Sequence, residues 1–200
     1  DSFYLYNDYT SGKITLDEMT KHEGCLYGSA GACPIMGTAN TCQTVTEALG
    51  IALPNSASCL GVSAEKLRVS EETGRKAVEL VNNDIKCLDI INRESIENAI
   101  RVLMATGGST NLIIHLIAIA RRANIDLKLD DFERISKETP VLVNVKPHGT
   151  ENVGMGFHNA GGVASLMKEM EGMLNGDCLT VTGKTISENL KDIDMPYDTN

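Results

Sequence analysis

Cys33 is the residue of this sequence best placed to do chemistry. It lies in the glycine-rich segment 28–34, directly before a stretch whose pattern predicts a helix from Thr38. Backbone N–H groups and the dipole at a helix N-terminus favour a thiolate, which serves either as a nucleophile or as a metal ligand. The alternative is a small buried cysteine that fills a tight turn. Spacing by itself leaves both interpretations open.

The other five cysteines are predicted to fill the core, because they fall in or beside helix and strand patterns. They are Cys25, Cys42, Cys59, Cys87 and Cys178. No two cysteines form a C-x-x-C pair, so the sequence does not predict a self-contained zinc or iron–sulfur module. Nor does a chain of this size need a disulfide scaffold. We therefore expect a reducing compartment, the cytoplasm or an organelle matrix.

A second candidate is the segment Gly107-Gly-Ser-Thr-Asn111, in which a glycine pair leads into a predicted helix N-terminus. Its N–H groups could hold a carboxylate or a phosphate, so Ser109 and Thr110 are candidate substrate-binding residues. The competing interpretation is a tight connection between two helices, with Ser109 or Thr110 as the cap of the second one. No G-x-S-x-G motif is present, so Ser109 is not predicted to be a hydrolase nucleophile.

Other motifs are less specific. Gly154-Met-Gly156 suggests a dinucleotide-binding loop, but the next glycine, Gly161, lies too far along the chain for that fingerprint. The four histidines have no metal-ligand spacing. We expect His115 to be a hydrogen-bonded core residue and His158 to have a capping or packing role.

Composition sets limits on the function. The 200 residues carry a net charge of −9, with 42% apolar and 22% charged residues, as in ordinary globular proteins. The sequence has no cluster of Lys and Arg residues, so nucleic-acid binding is not predicted. No apolar run approaches the roughly 18 residues of a membrane span. The chain begins at Asp1 without a signal-peptide pattern, and we expect it to be a piece of a longer polypeptide.

Hydrophobic periodicity predicts mostly helices. They are expected over residues 16–25, 38–53, 64–81 and 111–122, with further helices starting near residues 96, 130, 163 and 185. In the third of these, Leu67, Val78 and Val81 should face the core. The helix over 111–122 is apolar on nearly every face and should be buried.

Two segments, 141–145 and 178–182, are rich in β-branched residues and predict strands. The expected fold class is therefore α/β and helix-rich. Such a chain needs a sheet, and two strands are too few to complete one.

Eight blocks of this sequence occur in a recognisable order. They are residues 28–41, 47–54, 98–111, 130–135, 139–142, 146–147, 160–162 and 176–185. Together they resemble the dihydroxy-acid and phosphogluconate dehydratase family, which includes the sugar-acid dehydratases. The resemblance spans nearly the whole chain and is more specific than any single motif. It implies the second half of the N-terminal domain of an iron–sulfur dehydratase.

The resemblance implies a hydro-lyase that removes water from a 2,3-dihydroxy carboxylic acid to give a 2-keto acid, in branched-chain amino acid biosynthesis or sugar-acid metabolism. In this family a [2Fe–2S] or [4Fe–4S] cluster acts as Lewis acid on the departing hydroxyl, and Mg²⁺ holds the carboxylate and the C2 hydroxyl. Three thiolates leave one iron open to the substrate. Cys33 matches the third cluster ligand of the family.

Other parts of the family's site have no counterpart in this chain. The first two cluster cysteines, one of them in a Cys-Asp-Lys motif, belong upstream, and the serine base belongs to a C-terminal barrel. The resemblance thus implies that residues 1–183 are part of the N-terminal domain and that 184–200 start the linker to the barrel. The catalytic base is expected outside this chain, and the chain alone should hold neither cluster nor Mg²⁺ and should not turn over substrate. The longer protein is expected to be a homodimer that acts on a small dihydroxy or sugar acid.

Two questions stay open at the level of sequence. Cys33-Pro-Ile-Met-Gly37-Thr departs from the usual pattern of the dihydroxy-acid branch. Its Gly37-Thr38 is closer to the sugar-acid and phosphogluconate branches, whereas Ala39-Asn-Thr41 suits the dihydroxy-acid branch. The alternative functions are a non-catalytic binding domain that kept the scaffold, and a nucleotide-binding α/β enzyme that uses the Gly154 region.

Overall fold

The computed structural model of the chain describes residues 2–26 and 30–195. Secondary structure in these ranges consists of helices. They are α1 (Ser2–Thr10), α2 (Leu16–Glu23), α3 (Thr38–Ala48), α4 (Ala64–Asn82), α5 (Cys87–Ile90), α6 (Arg93–Ala105), α7 (Asn111–Arg122), α8 (Leu129–Glu138), a π-helical turn (Val153–Phe157), α9 (Gly162–Glu169), a 3-10 turn (Glu171–Met173) and α10 (Ile186–Lys191). The chain divides into two compact units, Asp1–Gly31 and Ala32–Asn200.

The first unit pairs α1 with α2. α2 begins where the sequence predicts, because Thr15 and Glu18 form a capping box. The Glu18 backbone N–H donates to Thr15 Oγ1 at 3.2 Å, and the Thr15 N–H donates to Glu18 Oε2 at 2.8 Å. The Thr15 N–H and the Thr15 hydroxyl both donate to the Glu18 carboxylate, and these two hydrogen bonds lower the pKa of Glu18. Cys25, just after the helix, is exposed, so its predicted core role is wrong.

α6 is the central helix of the second unit, where it packs against α3, α7 and α8. It carries an apolar stripe towards the core, in which Ile96, Ala99 and Ile100 are fully buried. α8 presents Phe132 and Ile135 to the same core. A second cluster of apolar side chains lies among α3, α9, α10 and the segments that connect them.

The two predicted strands are not formed in the described part of the chain. Segment 141–145 makes only an isolated bridge from Val145 to Glu151, and segment 178–182 makes one from Leu179 to Thr185. No neighbouring strand is available to either segment among these residues, so their backbone groups bond to helix ends and turns instead. Leu142 N–H, for example, donates to the Ala105 carbonyl at the end of α6, at 2.8 Å. The described fold is helix-rich, and the sheet of an α/β fold is not seen there.

Two of the predicted helices, α4 and α7, form, but apolar side chains that were expected to be buried are exposed. On α4, Leu67, Val78 and Val81 are 74%, 61% and 79% exposed instead of buried, because no other helix lies against that side in the described residues beyond isolated contacts. α7 is buried on one side only. It packs on α3 and α6, which leaves Ile114 and His115 in solvent. No helix in the described ranges is long and apolar enough to cross a membrane.

The remaining predicted core cysteines divide by environment. Cys178 is buried as predicted, Cys42 and Cys59 are half-buried, and Cys87 is exposed. Cys87 is the first residue of the single-turn helix α5, in which only Ile90 is buried. Sequence pattern does not distinguish an inward from an outward cysteine on such a turn.

Candidate functional site

Cys33 lies half-buried in the loop that precedes α3. The side-chain amide of Asn40, in the first turn of α3, donates to the Cys33 carbonyl at 2.6 Å and to the Ile35 carbonyl at 2.6 Å. The Cys33 Sγ lies 3.7 Å from the Ile35 carbonyl oxygen and 4.0 Å from Asn40 Nδ2. The thiol therefore has polar neighbours and is not enclosed by apolar side chains. Asn40, itself buried, holds the loop in place.

The other side of this loop is held by the segment that follows the predicted strand. Met36 N–H donates to the Lys146 carbonyl at 2.7 Å, and Val153 N–H donates to the Pro34 carbonyl at 2.9 Å. Met36 is buried among apolar side chains. The thiol-bearing loop is thus fixed from both sides, by a helix and by a distant segment, while Cys33 itself stays partly exposed.

Ser109 is brought to the same end of α3. Its backbone N–H donates to Thr41 Oγ1 at 3.0 Å, and its hydroxyl lies 3.3 Å from Thr38 Oγ1. The Asn111 side-chain amide donates to Thr38 Oγ1 at 2.7 Å. Two helix N-termini, those of α3 and α7, therefore meet through a cluster of hydroxyls and one amide. Cys33 and Ser109, predicted separately, border the same helical turn.

Thr110 is placed differently from Ser109. It is exposed and its side chain makes no capping hydrogen bond. Ser109 provides the cap of α7, because its Oγ accepts from the Asn111 N–H at 3.3 Å. Sequence reasoning did not single out Thr38 and Asn40, whose only signal is their place in the first turn of the helix after the Cys33 loop.

The glycine pair before Ser109 is required by close packing. Gly107 has a φ of +56°, and a Cβ there would lie 2.6 Å from Cε1 of the His148 ring. A Cβ on Gly108 would lie 2.5 Å from the Thr41 methyl group. His148 is held by a 2.9 Å hydrogen bond between its Nε2 and the Val143 carbonyl. The absence of side chains lets this turn approach both α3 and His148 closely.

Glu47 is a buried polar residue that the sequence reasoning passed over. Near the end of α3, its Oε1 accepts from the Asn55 N–H at 2.8 Å and its Oε2 accepts from the Ala57 N–H at 3.0 Å. Burial raises the pKa of its carboxyl to about 7. The only sequence signal is a charged residue among the inward positions Val45, Ala48 and Leu49 of α3. Glu47 organises the loop after α3 and lies at the opposite end of the helix from Cys33.

The remaining candidates lie outside this arrangement. His115 is exposed on α7, so the prediction of a hydrogen-bonded core histidine is wrong, because the packed side of that helix is formed by Leu112, Leu116 and Ala120. His158 is half-buried, with Nε2 3.8 Å from Glu65 Oε2. Gly156 belongs to a π-helical turn, and no strand precedes it in the described residues, so the dinucleotide interpretation has no structural support.

The described residues do not form a complete metal site. Within 2–26 and 30–195, no three His, Cys, Asp or Glu side chains come close enough to hold a metal ion. A cluster with one open iron needs three thiolates. The described part of this chain can therefore offer Cys33 as one ligand and does not fit a whole cluster by itself.

Comparison with known families tests the resemblance that the sequence motifs suggest. The family model of the dihydroxy-acid/6-phosphogluconate dehydratase N-terminal domain matches residues 1–189. This chain belongs to that family. The match covers the Cys33 loop, the Gly107–Asn111 turn and most of α10, so the geometry described above lies within the family's N-terminal domain.

Individual relatives agree with this assignment. The chain is 44% identical over 194 residues to a dihydroxy-acid dehydratase of Polynucleobacter asymbioticus, covering 96% of this chain and 34% of the relative. It is 44% identical over 207 residues to that of Picrophilus torridus, covering 99% and 37%. A dihydroxy-acid dehydratase of a Nostoc species is 45% identical over 194 residues, covering 96% and 34%. The chain thus spans about a third of the length of the curated relatives it matches.

Proposed function

We propose that this chain is part of a hydro-lyase in which Cys33 is one ligand of an iron–sulfur cluster. The proposal is supported by the position of Cys33, which lies half-buried among polar groups at the N-terminal end of α3. The resemblance matches this residue to the third cluster ligand of the family. The longer protein would remove water from a 2,3-dihydroxy carboxylic acid to give a 2-keto acid. The similar relatives are named dihydroxy-acid dehydratases, which favours a dihydroxy acid over a sugar acid as substrate.

The contribution of this chain is to hold the thiolate. When bound, the cluster would supply a Lewis acid that stabilises the hydroxide leaving from C3 of the substrate. Asn40 and the Met36–Lys146 hydrogen bond keep the loop in one conformation, so that the sulfur is fixed before a metal is bound.

Ser109 and Thr110 are proposed to bind the substrate. The Ser109 hydroxyl lies at the same end of α3 as the Cys33 loop, and the N-terminus of α7 behind it favours a carboxylate. Thr110 belongs to the same terminus and is exposed, which leaves its hydroxyl free to reach a ligand. The base, the remaining cluster ligands and the Mg²⁺ ligands are proposed to come from outside this chain.

We also propose that residues 1–183 belong to the N-terminal domain and that 184–200 lead towards a barrel domain. α10 begins inside the second range, and its Ile186 and Leu190 are buried. The final residues, 196–200, lie outside the described part of the structure. The first part of this connection is thus packed onto the domain that it leaves.

The experiment that tests the function compares Cys33→Ala with Cys87→Ala in the full-length protein. Cys33→Ala should remove the visible absorbance of the cluster and lower dehydration of a 2,3-dihydroxy acid by at least about 10³-fold, as expected when a Lewis acid is lost. Cys87→Ala, at an exposed cysteine distant in sequence, should keep both. If Cys33→Ala retains full iron and full turnover, Cys33 is not a ligand. A parent protein without iron and without turnover would favour the non-catalytic binding domain.

A further inference from the structure

The side chain of His148 lies directly against the turn that connects α6 to α7. A Cβ on Gly107 would lie 2.6, 2.9 and 3.0 Å from Cε1, Nδ1 and Nε2 of the His148 ring. Because three ring atoms come this close, the imidazole covers the Cα of Gly107 and leaves no room for a methyl group between them. The course of the turn is therefore set by a residue that is distant in sequence.

A hydrogen bond fixes the orientation of this ring. A carbonyl oxygen can only accept, so His148 Nε2–H donates to the Val143 carbonyl, at 2.9 Å. The Leu142 and Val143 N–H groups donate in turn to the Ala105 carbonyl, at 2.8 and 3.3 Å. The segment that orients the ring is thus bonded to the last residue of α6, close to the turn that the ring covers.

The imidazole is presented by a tight turn over residues 144–151. The Thr150 N–H donates to Asn144 Oδ1 at 3.0 Å, and the Gly149 N–H donates to the Val145 carbonyl at 2.7 Å. A Cβ on Gly149 would collide with the Asn144 side chain, so the turn closes only because residue 149 has no side chain. The backbone that carries the imidazole is therefore held in one conformation.

The turn between α6 and α7 rests on α3 as well. The Ser109 N–H donates to Thr41 Oγ1 at 3.0 Å, and Gly108 lies against the Thr41 methyl group. Thr41 is fully buried, whereas His148 is exposed. His148 is therefore the support of the Ser109 turn that a substitution can remove without opening the core.

The turn over residues 144–151 also supports the Cys33 loop. Its Lys146 carbonyl accepts from the Met36 N–H at 2.7 Å. One turn of the chain thus bonds to the loop that carries the proposed cluster ligand and lies against the turn that carries the proposed substrate-binding hydroxyl of Ser109.

We propose that His148 is a positioning residue, which holds Ser109 and the N-terminus of α7 in the place where they bind the carboxylate of the substrate. The inference rests on the proposed function, in which Ser109 binds the substrate. His148 acts through Ser109 and needs no contact with the substrate. Because a carboxylate is bound alike in the ground state and the transition state, loss of His148 should weaken substrate binding without slowing the reaction of bound substrate.

Steady-state kinetics of the full-length protein test this role with His148→Ala, His148→Gln and His22→Ala. His148→Ala should raise the KM for a 2,3-dihydroxy acid at least about fivefold and leave kcat within about twofold. His148→Gln should recover most of the affinity, because the side-chain amide of glutamine has an N–H that can reach the Val143 carbonyl. His22→Ala, at an exposed histidine of the first unit, should behave like the wild type.

The pattern of kinetic constants separates positioning from support of the fold. A residue that only stabilises the domain would lower the apparent kcat through the folded fraction and leave KM unchanged. The visible absorbance of the cluster should be the same in all four proteins, since none of these substitutions removes a thiol. An unchanged KM in His148→Ala overturns the inference.

Hydrogen exchange of the same full-length proteins, prepared without iron, tests the contact independently of turnover. In His148→Ala the amide hydrogens of Gly108 and Ser109 should exchange at least about tenfold faster, because the ring no longer holds their turn. Those of Phe132 and Ile135 in α8 should keep the wild-type rate. Unchanged exchange at Gly108 and Ser109 also overturns the inference. A wild-type protein without turnover would refute the proposed function, and with it the role of Ser109 on which this inference rests, even if the exchange rates change as expected.

Discussion

Glu47 shows how one buried carboxyl couples the stability of this domain to pH. Both of its oxygens accept backbone N–H groups from the loop after α3, and the side chain is 5% exposed. Burial is the dominant cause of its raised pKa, and the two hydrogen bonds oppose it. The protonated form is therefore favoured in the folded state relative to the unfolded chain, in which the carboxyl has its ordinary pKa.

The expected pH dependence has a definite sign. The pKa rises from 4.5 to about 7 on folding, so the folded state binds more protons between these values. The contribution of Glu47 to the free energy of unfolding is fully present below pH 4.5 and is lost as the pH rises through 7. Its size is on the order of 3 kcal/mol. Urea unfolding of Glu47→Gln across this range should lack that decline.

Glu133→Gln is the matched control for this titration, because Glu133 is an exposed glutamate whose side chain is 66% accessible. This variant should show the same decline in stability with pH as the wild type. If Glu47→Gln shows the wild-type decline as well, another group is responsible for it. Because Glu47 lies at the far end of α3 from Cys33, the pH dependence reports on the stability of the domain and does not test the proposed role of Cys33.

Gly107 and Gly74 make a contrasting pair of glycines. Gly107→Ala should destabilise the domain by about 1–3 kcal/mol, because a side chain at a positive φ would also meet the His148 ring. Gly74→Ala should instead stabilise the domain by about 0.5–1 kcal/mol, since Gly74 lies inside a helix with open space around the position of a Cβ. Thermal unfolding at low protein concentration measures both. Equal effects of the two substitutions would contradict the packing described for the Gly107 turn.

At the scale of elements, local signals predicted where helices begin. Thr15 and Thr185 each form the capping box that their sequences indicate, because such a cap depends on residues only three positions apart. α3 ends at Ala48, earlier than the expected residue 53, since Gly50 takes a φ of +85° and its N–H bonds to the Glu47 carbonyl. The end of a helix depends on the residues beyond it and is less visible in the pattern.

The strands and the outward side of α4 could not be read from local pattern. Segment 141–145 has a strand composition, but a strand exists only when another strand pairs with it. α4 has a clear apolar stripe, but a stripe indicates a buried face only when a surface is available to cover it. In both cases the missing information is a partner, which periodicity within one segment does not contain.

At the scale of the whole molecule, the chain is about a third of the relatives it matches, and its proposed site is correspondingly partial. We expect the purified 200-residue chain, reconstituted anaerobically with iron and sulfide, to bind no stoichiometric cluster and to show no dehydratase activity. The reason is that the described residues bring no three ligands together, and one thiolate does not hold a cluster. An iron assay and a 2-keto acid assay on the same sample measure this outcome.

The full-length protein, prepared identically, is the control for that experiment and should acquire iron and activity. Stoichiometric iron together with turnover in the 200-residue chain would contradict the proposal that this chain carries only part of the site. Iron and activity in neither preparation would count against the proposed reaction.

The sequence by itself indicated most of the longer helices and the family, and it offered Cys33 as the candidate thiol, because these depend on short-range pattern and on motif order along the chain. Only the tertiary structure decided that Cys33 and Ser109 border the same turn of α3, that Glu47 is a buried acceptor for the loop after α3, and that α4 faces outward. The physical reason is separation along the chain. Ser109 lies 71 residues from the threonine whose hydroxyl it meets, and contacts at that range are formed by packing and not by any local preference.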